Sequence, residues 1–498
     1  MSDSYILVID AGTTGTRALV YDETAAVLGQ SYTEFPQYHP APDRVEHDAE
    51  EIWQATSQMM VAALAKAGIT PAQVSAIGIT NQRATTVVWD KATGDPVTRA
   101  IVWQDTRTAG RCGELAEEWG ERVYSRTGWA LAPVYSSLSL EWILGNVPEA
   151  RRLAEADQLA FGTIDTWLIH RLTGGASHVI GASNASVTGS YDLLAGDWYG
   201  EWLQALGLPL SMFPEVKDDS GHLGTTSTEV FGAEVPITAA IADQHSALFA
   251  QGCVRPGMLK CTHGTGTFLD MMIGPQPMVD TASGLTCEIA WRMNGETLYA
   301  LEGYAASTGA AVQWLRDGAE IIGASAESEE LAKSVPDNGG VYFVPALTGL
   351  SAPYWDSYAR GLIVGITPGT KRGHLARATL EGIVFSVRDF IDAMSRVSGH
   401  EITRIAVDGG ASRNNLLCQI QADQLGVEVV RPRNTEATSV GAALLAGIAV
   451  GVWPDVASAL ATQEVEATFT PQIDEQARAE SYKFWTRAVT AVRGWARK

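Results

Sequence analysis

The sequence predicts an α/β protein built of two related halves. Three observations carry this: apolar strands alternate with helical stretches, one strand–turn–strand pattern occurs twice, and no Pro/Ser-rich linker divides the chain. The first occurrence is Ile6-Leu7-Val8-Ile9-Asp10-Ala11-Gly12-Thr13-Thr14-Gly15-Thr16-Arg17-Ala18-Leu19-Val20. Apolar runs flank a turn made of glycines and threonine hydroxyls. Glycine lets backbone N–H groups approach an anion closely, and the hydroxyls add donors. Asp10, at the end of its strand, is placed to hold a metal ion through water. No Gly-x-x-x-x-Gly-Lys-Ser/Thr string is present, so this is not a Walker loop. The second occurrence is Met258-Leu259-Lys260-Cys261-Thr262-His263-Gly264-Thr265-Gly266-Thr267-Phe268-Leu269-Asp270-Met271. Two such hairpins, one domain apart, predict two domains facing a shared cleft that grips a nucleotide tail from both sides. Gly252-Cys253-Val254-Arg255-Pro256-Gly257 is the expected boundary, dividing 1–251 from 252–498.

The remaining elements follow in order. A helix over Ala49–Ala67 opens behind Glu46-His47-Asp48, where acids and a cap suit a helix N-terminus. The strand Val74–Thr80 ends in Asn81-Gln82-Arg83, polar groups at the edge where open α/β sheets bind ligands. A strand around Ala100–Trp103 ends in Gln104-Asp105-Thr106-Arg107, and a helix is expected near Leu138–Leu144. The strand Ile237–Ile241 runs into Ala242-Asp243-Gln244-His245 with a helix beside it. In the second half, strands run to about Met272 and near Leu298, followed by a helix at Gly309–Asp317. A strand near Val341–Val344, a helix over Gly373–Ser395, a strand at Ile405–Val407 and helices near Asn414 and Val440 complete the alternation.

Composition narrows the function. A chain of 498 residues has room for two or three domains, each with its own core. Its 46% hydrophobic and 18% charged residues are those of a globular protein. A net charge of −22 argues against a general basic face for nucleic acid and leaves nucleotide binding open. The five cysteines are scattered and form no Cys-x-x-Cys pair, so a reducing cytosol is expected rather than a zinc site or disulfide framework. No basic-then-apolar leader and no run long enough to span a bilayer is found, and a cytoplasmic location is expected.

Several residues are candidates for chemistry. Asp243, after an apolar strand, is the leading general base, able to take a hydroxyl proton; helix capping is its ordinary alternative. Arg83 is placed to hold a substrate hydroxyl or carboxylate, or else to form an ion pair. Trp103 offers an apolar wall with one N–H donor, or core packing. Val407-Asp408-Gly409-Gly410-Ala411-Ser412-Arg413-Asn414 reads as strand, Gly-rich turn and helix, a place for a flat or phosphorylated ligand. Gly309-Ala310-Ala311-Val312-Gln313 opens a helix with small residues, suited to an adenine ring or to helix packing.

Together these segments reach a family. From about Tyr5 to Ala491 the chain resembles the FGGY carbohydrate kinases. The resemblance rests on Asp10 to Thr14, Gly78 to Arg83, Ile101 to Gln104, Phe161 to Ile169, and Ala242 to Gln244. It continues through Gly264 to Gly266, Leu301 to Gly303, Gly309 to Asp317, Ser351 to Asp356, Ala378 to Glu381, and Asp408 to Ala411. It implies two actin-like, ribonuclease-H-like domains hinged around an ATP cleft. It implies phosphate contacts at Thr13, Thr14, Gly15, Arg17 and Thr265, and adenosine contacts at Gly309, Gln313, Gly410 and Asn414. Asp243 is then the base, with Arg83, Trp103, Tyr135, Gln244 and Phe268 around the acceptor, and Asp10 orients hydrated Mg²⁺. The implied activity is ATP-dependent phosphorylation of a small polyol, glycerol first, by a homodimer or homotetramer.

Three positions depart from the pattern. Members that use glycerol usually follow Asn-Gln-Arg with a glutamate, where this chain has Ala84. In Pro133-Val134-Tyr135-Ser136 the tyrosine stands one place later, and a usual lysine is Ser139. Losing a buried hydrogen-bond acceptor costs about 1–3 kcal/mol of binding. A four- or five-carbon polyol or ketose (erythritol, threitol, xylitol, xylulose) is therefore the rival acceptor. A non-catalytic nucleotide-binding protein of the same fold is the rival of another class.

Overall fold

Alternate residues of the first strand, β1 (Tyr5–Ala11), point into two different cores. Leu7 and Ile9 pack with Ile52, Trp53 and Met60 of helix α1 (Ala49–Ala67), whereas Ile6 and Val8 pack with Leu444 and Leu445. A strand apolar on both faces belongs between two helical layers, and that is its place here. α1 starts where the Asp48 carboxylate accepts the backbone N–H groups of Glu50 and Glu51, and stops at Gly68, whose φ of 70° suits a left-handed cap. These relations come from a computed structural model that describes residues 4–305, 308–434 and 436–497.

Thirteen strands form one continuous sheet among the described residues. The first six are β1, β2 (Gly15–Tyr21), β3 (Val27–Glu34), β4 (Val74–Asn81), β5 (Ser220–Thr225) and β6 (Pro236–Ala242). The others are β7 (Met258–His263), β8 (Thr267–Gly274), β9 (Thr286–Met293), β10 (Glu296–Ala305), β11 (Arg404–Asp408), β12 (Val429–Pro432) and β13 (Val465–Phe469). In the first half, β3, β2 and β1 pair antiparallel, and β4 and β6 extend β1 in parallel. In the second, β10, β8 and β7 pair antiparallel, and β11 and β12 extend β7 in parallel. The same five-strand order thus occurs twice. A single parallel bridge, Ser220 to Met293, joins the halves.

A helix leaves the last parallel strand of each half. These are α2 (Asp243–Ala250) after β6 and, beyond α3 (Gly309–Asp317), α4 (Arg372–Ser398) and α5 (Asn415–Leu425), α6 (Ala437–Ala449) after β12. α6 packs on α2 and on the strands β1, β4 and β6 of the other half. The approach is close because small residues line it: a Cβ on Gly441 would collide with the Ser246 carbonyl, and one on Gly78 would lie 2.6 Å from that of Ala442.

Two expectations differ from the structure. The strand at Ala100–Trp103 is only Ala100–Ile101, because Asp105 draws the backbone into a turn by accepting from the N–H groups of Val45 and Arg107. The edge strand β13 and the last helix, α7 (Glu475–Val492), were not anticipated. α7 buries only Trp485, Ala488, Val489 and Val492, a stripe too thin to stand out in the sequence. All five cysteines are free thiols. Among the described residues no helix is long and apolar enough to cross a membrane.

Candidate active site

Three strands end at one edge of the sheet. Asn81 of β4 lies level with Ala11 of β1 on one side and Ala242 of β6 on the other. Asp10, Arg83 and Asp243 belong to these strand ends. Asp243 is the first residue of α2, and its Oδ1 accepts the Gln244 N–H at 2.8 Å. The N-cap is Ala242, without a side-chain cap bond, so the ordinary capping role does not account for Asp243, and 28% of its side chain is exposed. Burial raises its carboxyl above the ordinary aspartate range; Arg83 opposes that shift and the charge of Asp10 adds to it.

The Arg83 donors are largely committed. One terminal nitrogen donates to Glu288 at 3.2 Å, the other pairs with Glu302 at 2.7 Å, and Nε faces Asp243 at 3.8 Å. Burial alone would lower the guanidinium, but Glu302, Glu288 and Asp243 together raise it. Glu288 is also held by His245 Nε2 at 2.6 Å. The acids stand in a row across the sheet, because Lys260 is paired with Asp270 in register and Asp270 with Glu302. Lys260, fully buried, reaches Asp270 and the Gln244 amide oxygen, both at 2.5 Å. Oxygens of Asp270, Glu288 and Glu302 lie within 4.8 Å of one another, and Arg83 and Lys260 are their counter-ions. Burial, with the neighbouring Glu288 and Asp270, raises Glu302 well above the usual carboxylate range, and Arg83 opposes that shift.

Ala84, next to Arg83, has a φ of 57°, a left-handed conformation costing an alanine about 1–2 kcal/mol. Its carbonyl accepts from the Ser136 hydroxyl at 3.2 Å, which helps hold it there.

The two hairpin turns open onto two cavities. Asp10 Oδ2 accepts from Arg17 Nε at 2.8 Å and from the Thr438 hydroxyl at 2.9 Å, and Arg17 also pairs with Glu436. Asp10, Thr14, Gly15 and Arg17 line a cavity of about 620 Å³. Thr13 stands beside it, its hydroxyl accepting the Trp103 indole N–H at 3.0 Å; Trp103 is 40% exposed. In the second half Thr265, Gly309, Gln313, Gly410 and Asn414 line a cavity of about 650 Å³. Gly309 fits because its Cα nearly touches the second hairpin turn: a Cβ would lie 2.5 Å from the Gly264 carbonyl. Asn414 also caps α5, accepting the Leu417 N–H at 2.9 Å.

Residues expected together therefore fall into three places: the strand edge, the first turn and the second turn. Phe268 is half-buried on β8 with its ring 4.6 Å from that of Tyr304. Tyr135 is a correction. It is fully buried, its ring lies in the slot left by the missing Cβ of Gly189, and its hydroxyl bonds the Trp129 carbonyl and the Thr127 hydroxyl. It supports the loop behind the cleft instead of lining the cleft. Sequence reasoning also missed Lys260, Asp270 and Glu288, and His245, which holds Glu288 from α2. The available signal was a charge in mid-strand on β7, β8, β9 and β10, where apolar residues are the norm.

Known proteins resemble this chain over nearly its whole length. Residues 5–250 match the N-terminal domain of the FGGY family of carbohydrate kinases and residues 259–450 its C-terminal domain. The chain is 50% identical over 494 residues to a glycerol kinase of Trichlorobacter lovleyi, covering 99% of each. It is 48% identical over 495 residues to glycerol kinase 2 of Thermotoga maritima, covering 99% of this chain and all of that one. Its fold superposes on Plasmodium falciparum glycerol kinase with ADP at a TM-score of 0.94, with 31% identity over 98% of both chains. A xylulose kinase from Rhodospirillum rubrum gives 0.87 at 25% identity, again over 98% of each. With a two-domain α/β fold, two phosphate-type turns and relatives matched along nearly its whole length, the chain belongs to the FGGY family of carbohydrate kinases.

Proposed function

We propose that this chain phosphorylates glycerol to glycerol 3-phosphate with ATP, using 1–251 and 252–498 as the two jaws of the cleft. The observation that carries the reading is the shared strand edge, where the Asp243 carboxylate stands beside Arg83 and the Asp10 hairpin. Relatives named for glycerol phosphorylation at 48–50% identity support the choice of acceptor. The nucleotide's base and ribose fit the cavity of Gly309, Gln313, Gly410 and Asn414, and its phosphates fit the turns of Thr13, Thr14, Gly15 and Thr265.

In this mechanism the primary hydroxyl of glycerol lies against Asp243. As its oxygen attacks the γ-phosphorus, Asp243 takes the proton, the new O–P bond forms, and the bond to the β-phosphate oxygen breaks to release ADP. Backbone N–H groups and threonine hydroxyls of both turns meet the charge of the transferring group. Trp103 and Phe268 wall the acceptor. Arg83, tied to Glu288 and Glu302, holds the base in place. Asp10 is buried and anchored through one oxygen, and its hard carboxylate fits a hydrated Mg²⁺. When bound there, the ion neutralises charge on the β- and γ-phosphates. Closure of the jaws excludes water that would otherwise hydrolyse ATP. The expected assembly is a homodimer or homotetramer, and the expected location is cytoplasmic.

The test is Asp243→Asn. Turnover should fall by about 10²–10⁴-fold, with ADP binding unchanged in calorimetry. Near-normal turnover would remove Asp243 from the role of base. A second reading is favoured by Ala84: a longer polyol or a ketose is the better acceptor. A kcat/KM panel over glycerol, erythritol, threitol, xylitol and xylulose decides between them.

A further inference from the structure

Beside Arg83 stands a buried donor that the proposed chemistry has not used. Trp129 lies in the loop ahead of Ser136, half-buried against the cluster containing Leu115, Trp119 and Val123. Its backbone is fully engaged: its N–H donates to the Thr127 hydroxyl at 3.3 Å and its carbonyl accepts from the Tyr135 hydroxyl. Its ring centre is 5.9 Å from the Arg83 guanidinium, whose Nε is in turn 3.8 Å from Asp243. The indole N–H is buried and has no hydrogen-bond partner among the described residues. A buried donor left unpaired is costly, whereas one facing a binding site is satisfied when the ligand arrives. Ala84, which follows Arg83 in the chain, offers no hydrogen-bonding side chain of its own.

We propose that Trp129 is a specificity-determining residue of the acceptor pocket, its indole N–H donating to an oxygen of the polyol beyond the hydroxyl that is phosphorylated. An indole donates and cannot accept, so it selects a lone pair on a hydroxyl or carbonyl oxygen. Tyr135, excluded from the pocket itself, acts here by pinning the Trp129 carbonyl. The proposal rests on the kinase reading above and adds a residue to its acceptor site.

The experiment is W129F, assayed against the same acceptor panel beside the wild-type enzyme. The KM for the preferred acceptor should rise about tenfold, with kcat and the KM for ATP unchanged. Trp129→His keeps a ring N–H and should recover part of that loss, which a purely structural role would not predict. A W129F enzyme with KM within twofold of wild type for every acceptor overturns the proposal. So does a loss that falls equally on kcat and on ATP affinity in both variants. Should the wild type prefer another polyol to glycerol, the choice of glycerol fails but Trp129 is still judged on the preferred polyol. A wild type that releases no ADP with any acceptor overturns the kinase reading and this proposal with it.

Discussion

The two hairpins share one packing rule and differ in charge. In the first, Gly15 lies under Tyr32, and a Cβ there would come within 2.8 Å of the tyrosine hydroxyl. In the second, Gly266 lies under Tyr304, and a Cβ would meet that ring at 2.7 Å. In each case the tyrosine comes from the third antiparallel strand of its half, β3 or β10. Yet the first turn is flanked by Asp10 and Arg17, which face each other across β1 and β2, and the second by Thr262 and Phe268 in the same relation. Backbone geometry was thus kept in both copies. The first suits a hydrated cation beside phosphate; the second offers donors without an acid that would repel the nucleotide. The charge absent from the second turn reappears deeper, as the buried row Lys260, Asp270 and Glu302 against Arg83.

The largest expected effect tests that buried row. Lys260→Met leaves Asp270 without its counter-ion in a fully buried site and should cost about 3–5 kcal/mol in urea unfolding. Arg17→Met should cost far less, because Arg17 is one-third exposed and screened by water. Equal losses would remove the contrast between the halves. Next, Asp10→Asn should weaken Mg²⁺ activation about 10–100-fold, with little change in the affinity for metal-free ADP. An unchanged Mg²⁺ requirement would show that the first turn's charge serves another purpose.

The shared packing rule is tested by Gly15→Ala and Gly266→Ala, each expected to cost about 1–3 kcal/mol by crowding its tyrosine. A tolerated alanine in either turn would show that the rule holds in one half only. The smallest effect concerns pH. Asp243 must be ionised to accept a proton, and burial raises its pKa, so activity is lost as pH falls through that raised value. The acid limb of kcat/KM should therefore lie above the ordinary aspartate value of about 3.9. A limb at or below it would mean that Arg83 and the Gln244 N–H outweigh burial.

Much of the scaffold was legible from local rules. Glycines between apolar runs marked both hairpins, Asp48 and Gly68 bracket α1 at the expected ends, and Gly309–Asp317 is helical over its whole expected length. The glycines and threonines that line the two cavities were also singled out from the sequence, since in a turn they act through their own backbone and hydroxyl. The acceptor side was harder. Tyr135 looked available, and only the space beneath Gly189, 54 residues on, shows where its ring goes. The partners of Arg83 lie at Asp243, Glu288 and Glu302, on three different elements.

The sequence by itself determined the two hairpins, the repeated alternation and the position of an acid after β6, because dihedral preference, capping and apolar period act over a few neighbours. Only the tertiary structure decided which charges meet, which carboxyls are desolvated and which tryptophan N–H stays unpaired. Electrostatics and desolvation depend on distance through space, and residues far apart in the chain acquire that distance only when the sheet has closed.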